Sequence, residues 1–350
     1  MSPVVIMKRS VAISGSNGAD AYSECVRNAL VSHDIPYETE EILLDTKTGY
    51  LRCLKEGFIR PFLGIIRRRK KKDEYVYHAV DELVCLLFPL VKGKKVVTFH
   101  HLLRDTDKDM KASLLWHVSA KIAIRRSDII IAISPQTRDD LVYRYHVRED
   151  KIVTVLHTIP PEFITLENTE RERAVGCVST LIRRKNVDAL IRSFSSLTKM
   201  DRMSDVRLRI CGKGPEKEAL EKLAASLGIS DRVEFLSDLS MDELVRFYNS
   251  VTVLANPSLH EGFGRITLEA QRCSTPVVYF READIPPEVT KFAVPCSDEE
   301  EMAEKMYDLF TDAEMREGIV RDGKEYADGI GHGFSDETAA VFLKLMDGTG

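Results

Sequence analysis

Several things that would narrow the reading at once are scarce or missing from this chain of 350 residues. Cysteine is sparse and odd in number, seven in all with no C-x-x-C pair, which argues against a disulfide framework and against a zinc site. The longest apolar run, residues 83–91, falls far short of the roughly 20 residues needed to cross a bilayer. At the N-terminus the apolar start runs straight into Lys8 and Arg9 with no small-residue cleavage site, so no secretory signal is expected. What is present is 44% hydrophobic and 30% charged residues, the composition of a soluble globular protein. The length suits two cores better than one. A cytoplasmic, enzyme-sized protein is the expectation.

A strong basic excess is also missing. Residues 1–165 carry 26 Lys and Arg against 21 Asp and Glu, the remainder 24 against 34, and the whole sums to −5. Nucleic acid is therefore not an expected partner. One local exception stands out, the run Arg67, Arg68, Arg69, Lys70, Lys71 and Lys72. Such a run reads either as a solvated loop or as a patch that meets anionic lipid head groups. With the apolar residues 57–66 ahead of it, peripheral attachment to the inner face of a membrane is one expectation.

The pattern of the chain is strand and helix in alternation. Residues 11–14 read as a buried strand, and Gly15-Ser-Asn-Gly18 turns it into a helix over about 20–32. Residues 94–99 and 128–133 are nearly continuous in Val, Ile and Phe, the mark of parallel strands covered on both faces. The pattern then restarts, with strands at 174–178, 207–211, 233–236, 251–255 and 277–280. Helices fall between them at 186–197, 216–227, 241–249 and 267–273; in the first, Leu190, Ile191, Phe194 and Leu197 share one face. A last helix is expected over 336–346. The fold class is α/β, two Rossmann-like doubly wound domains facing a central cleft. Pro160-Pro161 and the polar stretch 167–173 mark the break. That gives domains at 1–165 and 166–333, with 334–350 crossing back to the first.

The densest group of functional residue types is Pro257-Ser-Leu-His-Glu261-Gly-Phe-Gly264-Arg-Ile-Thr-Leu-Glu269. Two carboxylates eight apart mean little by themselves. Here Glu261 follows a strand end, and Gly262 and Gly264 leave backbone N–H groups open to a ligand. The helix that begins near Arg265–Ile266 turns its positive end to the same place, which suits a diphosphate. Glu269, about one turn on, suits a ribose diol or a sugar hydroxyl. The bland alternative is a turn cap and a solvated helix residue. Gly212-Lys213-Gly214-Pro215 sits between strand and helix, either as a phosphate loop or simply as a tight turn. It lacks the third glycine of a dinucleotide fingerprint, so NAD is not expected. Lys185 suits a departing phosphate. In the first half, His100-His101 ends a strand at the expected cleft edge, and Gly15 to Gly18 precede a helix start.

These segments together resemble the retaining glycosyltransferases of the GT-B fold, family 4. The resemblance covers nearly the whole chain. It is carried by the strand and Ser-x-x-Thr segment from Asp128 through Ser134 to Leu141, by the Gly-loop 208–216, and by Asp231-Arg-Val-Glu-Phe-Leu. The most specific part is Pro257-Ser-x-x-Glu261-Gly-Phe-Gly264 with Glu269-Ala and Thr275-Pro-Val-Val278. The resemblance implies transfer of a sugar from a nucleotide-diphosphate sugar to an acceptor hydroxyl on a glycan or lipid-linked sugar. It implies that the first domain binds the acceptor and the second the donor. It assigns His100, Lys185 and Glu261 to the reacting centre. Gly15, Gly18, Gly212, Lys213, Gly214, Gly262, Phe263, Gly264, Arg265, Ile266 and Glu269 fall to the donor. No metal or other cofactor is implied, because lysine and helix ends supply the positive charge. Thr180 stands where the family usually carries an arginine, and Arg183 or Arg184 is a candidate substitute. Two other readings follow from the same residues: a nucleotide-sugar-binding protein with weak or lost catalysis, and a nucleotide-sugar epimerase of the same fold.

Overall fold

The computed structural model describes residues 3–10, 18–43, 75–100, 110–167 and 169–347, with Pro61 and Gly64. The expected strand at 11–14, Gly15, residues 57–60, the basic run 67–72 and His101 lie outside the described residues. The chain forms two compact units, residues 1–158 with 331–350, and residues 159–330.

In the first unit, β1 (Val4–Ser10), α1 (Gly18–Ser32), β2 (Tyr37–Leu43), β3 (Val76–Ala79) and β4 (Lys94–Phe99) are followed by α2 (Met110–Arg126), β5 (Ile129–Ala132), α3 (Pro135–Tyr145) and β6 (Ile152–Thr154). The sheet order is β2-β1-β3-β4-β5-β6, with every pairing parallel. The first strand among the described residues falls at 4–10. β3 was not legible because it carries a histidine: His78 pairs with Ile6 on one side and Val96 on the other and is fully buried. The Ser-x-x-Thr segment has a local physical meaning. Ser134 Oγ accepts a hydrogen bond from the Thr137 N–H at 3.1 Å, capping α3, with Pro135 in the first turn, where its missing N–H costs nothing.

The C-terminal helix Phe334–Met346 belongs to this unit. It is held against α1 through Ser32 Oγ to Ser335 Oγ at 3.0 Å and His33 Nε2 to Asp336 Oδ1 at 3.0 Å. Between β3 and β4, Asp81 caps a 3-10 helix over Glu82–Leu90. Most of the longest apolar run lies in that helix, on the core, as Val84, Cys85, Leu87 and Phe88.

The second unit runs β7 (Glu172–Val178), α4 (Val187–Leu197), β8 (Arg207–Cys211), α5 (Lys217–Ser226), β9 (Val233–Leu236), α6 (Met241–Ser250), β10 (Val251–Asn256), α7 (Arg265–Arg272), β11 (Val277–Phe280), β12 (Val294–Cys296), α8 (Glu299–Thr311) and α9 (Ala313–Gly329). A single helical turn, Pro287–Thr290, lies ahead of β12. Its sheet order, β12-β11-β10-β7-β8-β9, reverses direction between β7 and β10. α4 forms as its spacing requires, burying Val187, Leu190, Ile191, Phe194 and Leu197, each large side chain contributing about 1.5–3 kcal/mol. The unit begins at Ile159, earlier than the expected border at 165. The reason is local: Arg272 Nη1 holds the Ile159 carbonyl at 2.9 Å, Thr165 Oγ1 meets Ser274 Oγ at 2.6 Å, and Leu166 N–H reaches Asn249 Oδ1 at 2.9 Å.

Among the described residues, no helix is long and apolar enough to cross a membrane.

Candidate active site

In a doubly wound sheet, the loops leaving adjacent strands at the reversal point part to opposite faces, and ligands bind in the crevice they leave. In the second unit those loops are residues 179–186, after β7, and 257–264, after β10. They are bolted together. Leu259 N–H donates to the Arg184 carbonyl at 3.0 Å, the Arg184 guanidinium donates to the His260 carbonyl, and Lys185 Nζ pairs with Glu261 Oε1. Arg184 Nη1 also stands 3.9 Å from Glu261 Oε2. Lys185 and Glu261, separated by 76 residues, therefore meet, and a second cation adjoins them.

The loop is braced from behind as well. His260 Nδ1 lies 2.6 Å from Asp284 Oδ2, and Glu261 N–H donates to the Asp284 carbonyl at 3.0 Å. Neither His260 nor Asp284 carried a signal in the sequence. Gly264 then adopts φ +87° as the cap of α7, a conformation that favours glycine. A Cβ there would also approach Ile285 Cγ2 at 3.3 Å. The helix beyond it starts with its early N–H groups lacking intrahelical acceptors. Phe263 is buried.

Glu269 is not a solvated helix residue. It is 3% exposed, and both its oxygens are engaged. Arg265 Nε and Nη2 donate to Oε1 at 3.0 and 2.8 Å, and Tyr248 OH donates to Oε2 at 2.8 Å. Burial first, and the Glu269 charge second, push the Tyr248 hydroxyl well above its ordinary pKa. The carboxylates 261 and 269 thus have separate partners. The sequence reading missed the Arg265–Glu269 pair, for which a spacing of four on a helix is the available signal; Tyr248 gave no signal.

The glycines of the 212–214 loop answer to close packing of backbone. A Cβ on Gly212 would fall 1.7 Å from the Ser179 carbonyl oxygen, and one on Gly214 would fall 2.1 Å from that of Leu181. Ser179 N–H donates to the Cys211 carbonyl at 2.9 Å and Leu181 N–H to that of Lys213 at 2.8 Å. The loop continues the β7–β8 ladder past its strands. Lys213 Nζ pairs with Asp238.

In the first unit, His100 follows β4, and its Nε2–H donates to the Val80 carbonyl at 2.8 Å. Gly18 opens α1; one turn on, the Tyr22 ring meets His100 edge to face at 4.7 Å and His157 at 5.1 Å. Thr98 Oγ1 lies between Tyr22 OH at 3.1 Å and His78 Nε2 at 2.9 Å. Burial, with the His100 charge second, pushes the His78 pKa down to about 3. Among the described residues, no group of three or more His, Cys, Asp or Glu is placed to hold a metal ion.

Two doubly wound α/β units, each built on an all-parallel six-stranded sheet, define the class: a GT-B glycosyltransferase fold. Residues 44–163 match the family model described as Glycosyltransferase Family 4, and residues 161–326 the model described as Glycosyl transferases group 1. The chain belongs to this group 1, family 4 assembly of glycosyltransferases.

Among curated relatives, it is 31% identical over 181 residues to D-inositol 3-phosphate glycosyltransferase of Corynebacterium diphtheriae, covering 47% of this chain and 42% of that one. The enzyme of the same name from Corynebacterium efficiens is 29% identical over 243 residues, covering 63% and 57%. The matched region thus spans about half the length of these relatives. Among solved structures, Anabaena HepE in complex with UDP and glucose superposes with a TM-score of 0.76 at 15% identity, covering 99% of this chain and 100% of that one. Sucrose-phosphate synthase of Thermosynechococcus elongatus gives 0.77 at 17%, covering 98% and 99%. At such identities the likeness is one of fold.

Proposed function

We propose that this chain transfers a sugar, with retention of anomeric configuration, from a nucleoside-diphosphate sugar to an acceptor hydroxyl. The observation that carries the reading is the meeting of Lys185, Glu261 and the start of α7 at the reversal point of the second sheet. The HepE structure named above holds UDP and glucose, which supports a donor of that kind.

The chemistry follows from charge. As the bond from the anomeric carbon to the diphosphate breaks, negative charge grows on the leaving oxygens. Lys185 and the N–H groups at the start of α7 are fixed where that charge develops. Glu261 accepts hydrogen bonds from the sugar hydroxyls, so the sugar enters the Lys185–Glu261 pair and divides it. Glu269 takes the ribose diol. The acceptor proton passes to the departing diphosphate, and the two glutamates are not an acid/base pair of the glycosidase type. Lys185, Arg184 and the helix end supply the positive charge without a metal ion. His100 is read as a sugar contact of the first unit, on family resemblance.

The acceptor belongs to the same proposal: a hydroxyl on a glycan or lipid-linked sugar, with the basic run 67–72 meeting an anionic membrane. Failure of the full chain to pellet with anionic vesicles at low salt removes the membrane part.

A second reading, binding without turnover, is favoured by one observation. Thr180 is exposed at the end of β7 and provides no cation there. Thermal unfolding across UDP-, GDP- and ADP-sugars tests both. A ligand at 100 times its dissociation constant adds about 2.7 kcal/mol of stability. A shift with one sugar nucleotide, lost in Glu261→Gln, together with an α-configured product from an α-configured donor, is the expected result. A shift with no turnover on any acceptor leaves the binding reading in place; no shift at all removes both.

A further inference from the structure

Arg265 occupies the first position of α7, directly after Gly264. A cation is electrostatically misplaced there, because a helix start carries about half a positive charge and favours anions. The guanidinium turns back along the helix instead, holding Oε1 of Glu269 at 3.0 Å from Nε and 2.8 Å from Nη2. The two side chains are only 18% and 4% exposed, so neither charge is left to water. Glu269 does not depend on this arginine alone. Tyr248, fully buried, donates to the other oxygen, Oε2, at 2.8 Å. With its pKa pushed well up by burial and by the Glu269 charge, that hydroxyl keeps its proton. The carboxylate therefore has one fixed partner on a packed ring and one partner on a long, rotatable stem.

The geometry points to a hand-over at Arg265: when a nucleoside diphosphate binds at the start of α7, its ribose hydroxyls replace the guanidinium on Glu269 Oε1, and the guanidinium turns to the diphosphate. The inference rests on the proposed donor class and names a further cation of that site, beside Lys185 and Arg184. The exchange balances, since a vicinal diol brings two O–H donors where the guanidinium gave two N–H donors. It also moves the cation from a place the helix start disfavours to one where an anion cancels that start. Tyr248 holds Glu269 in place while the partners change. A further consequence is selectivity. Before hand-over Arg265 competes with the ribose for Glu269, so a nucleoside without phosphates gains nothing from displacing it.

Calorimetric titration of the full chain with UDP and with uridine tests this, using the wild type, Arg265→Ala and Arg265→Lys. The expected result is that Arg265→Ala weakens UDP by about tenfold or more, the size of a lost charge-assisted contact, while uridine binds unchanged or tighter. Arg265→Lys falls between, keeping the charge but losing the planar fork. An equal loss for UDP and uridine overturns the hand-over, since the arginine would then only hold Glu269. No loss for either overturns it as well. Arg265→Gln serves the same comparison if the alanine variant does not fold. If the wild type binds none of UDP, GDP and ADP, the donor reading itself fails and takes the hand-over with it; if the wild type binds one of them, that nucleotide and its matching nucleoside replace the uridine pair.

Discussion

Tyr248 and Glu269, on consecutive helices of the second unit, are joined by a 2.8 Å hydrogen bond from the tyrosine hydroxyl to Oε2. Both are buried, so water does not replace a lost partner. Tyr248→Phe keeps the ring, its edge-to-face contact with Phe163 at 5.7 Å and nearly all of the packing. What it removes is one donor to a buried carboxylate, a loss of about 1–3 kcal/mol. Urea unfolding of the variant against the wild type measures it. A difference within error would mean that Arg265 alone satisfies Glu269.

On the proposed function, Lys185 separates catalysis from folding. Breaking a buried ion pair commonly leaves a costly unpaired charge, but here Arg184 Nη1 already stands 3.9 Å from the same carboxylate. Lys185→Ala is therefore expected to keep its fold while the transfer rate falls by about 100- to 1000-fold, the scale of a lost transition-state donor. Single-turnover rates beside a thermal melt check both halves. An unaltered rate would move the developing charge elsewhere.

Strand after strand of the second unit was legible because a parallel sheet covered on both faces demands near-continuous apolar runs. The strands at 207–211, 233–236 and 277–280 form where the pattern placed them. β2 was not legible, since Tyr-Glu-Thr-Glu-Glu, an edge strand, is rich in acids and lacks an apolar run, and β3 hides a histidine in the core. At the site, the place of Glu261 was readable from a strand end and glycines, whereas its pairing with Lys185 was not. The bracing by His260, Asp284 and Tyr248 was not, because it depends on which side chains three separate elements bring within 3 Å of one another. Glycines 212 and 214 were seen but open to two explanations. Only the 179–181 backbone crossing shows what requires them.

That crossing separates two kinds of glycine. At Gly212 an added Cβ falls 1.7 Å from a carbonyl oxygen of the neighbouring loop, whereas at Gly228, with φ +71°, it meets nothing within 4 Å. Gly228→Ala should cost only the left-handed backbone term, about 1–2 kcal/mol. Gly212→Ala must push two hydrogen-bonded loops apart, and is expected to cost more than the roughly 1–3 kcal/mol of ordinary overpacking. Chemical denaturation of the pair checks the order. Equal costs would show that the 179–181 loop gives way freely.

The first unit carries a pH dependence of its own. His78 sits in the middle of the sheet with its Nε2 on Thr98 Oγ1, and its pKa falls from the ordinary 6.5 to about 3 through burial, helped by the His100 charge. The folded chain holds this ring neutral while the unfolded chain protonates it below about 6.5, so between those two values the unfolded state binds more protons. Stability attributable to His78 is therefore complete above about pH 6.5 and is lost as the pH falls toward 3. At about 1.4 kcal/mol per unit, lowering the pH from 7 to 5 should remove about 2 kcal/mol. Other groups titrate in the same range, so the informative quantity is the difference between the wild type and His78→Gln, which retains a donor for Thr98 but has no charge to gain. Urea midpoints at pH 7 and pH 5 should converge for the two proteins as the pH falls. If their separation is the same at both, protonation of the unfolded chain at His78 is not what weakens the first unit in acid.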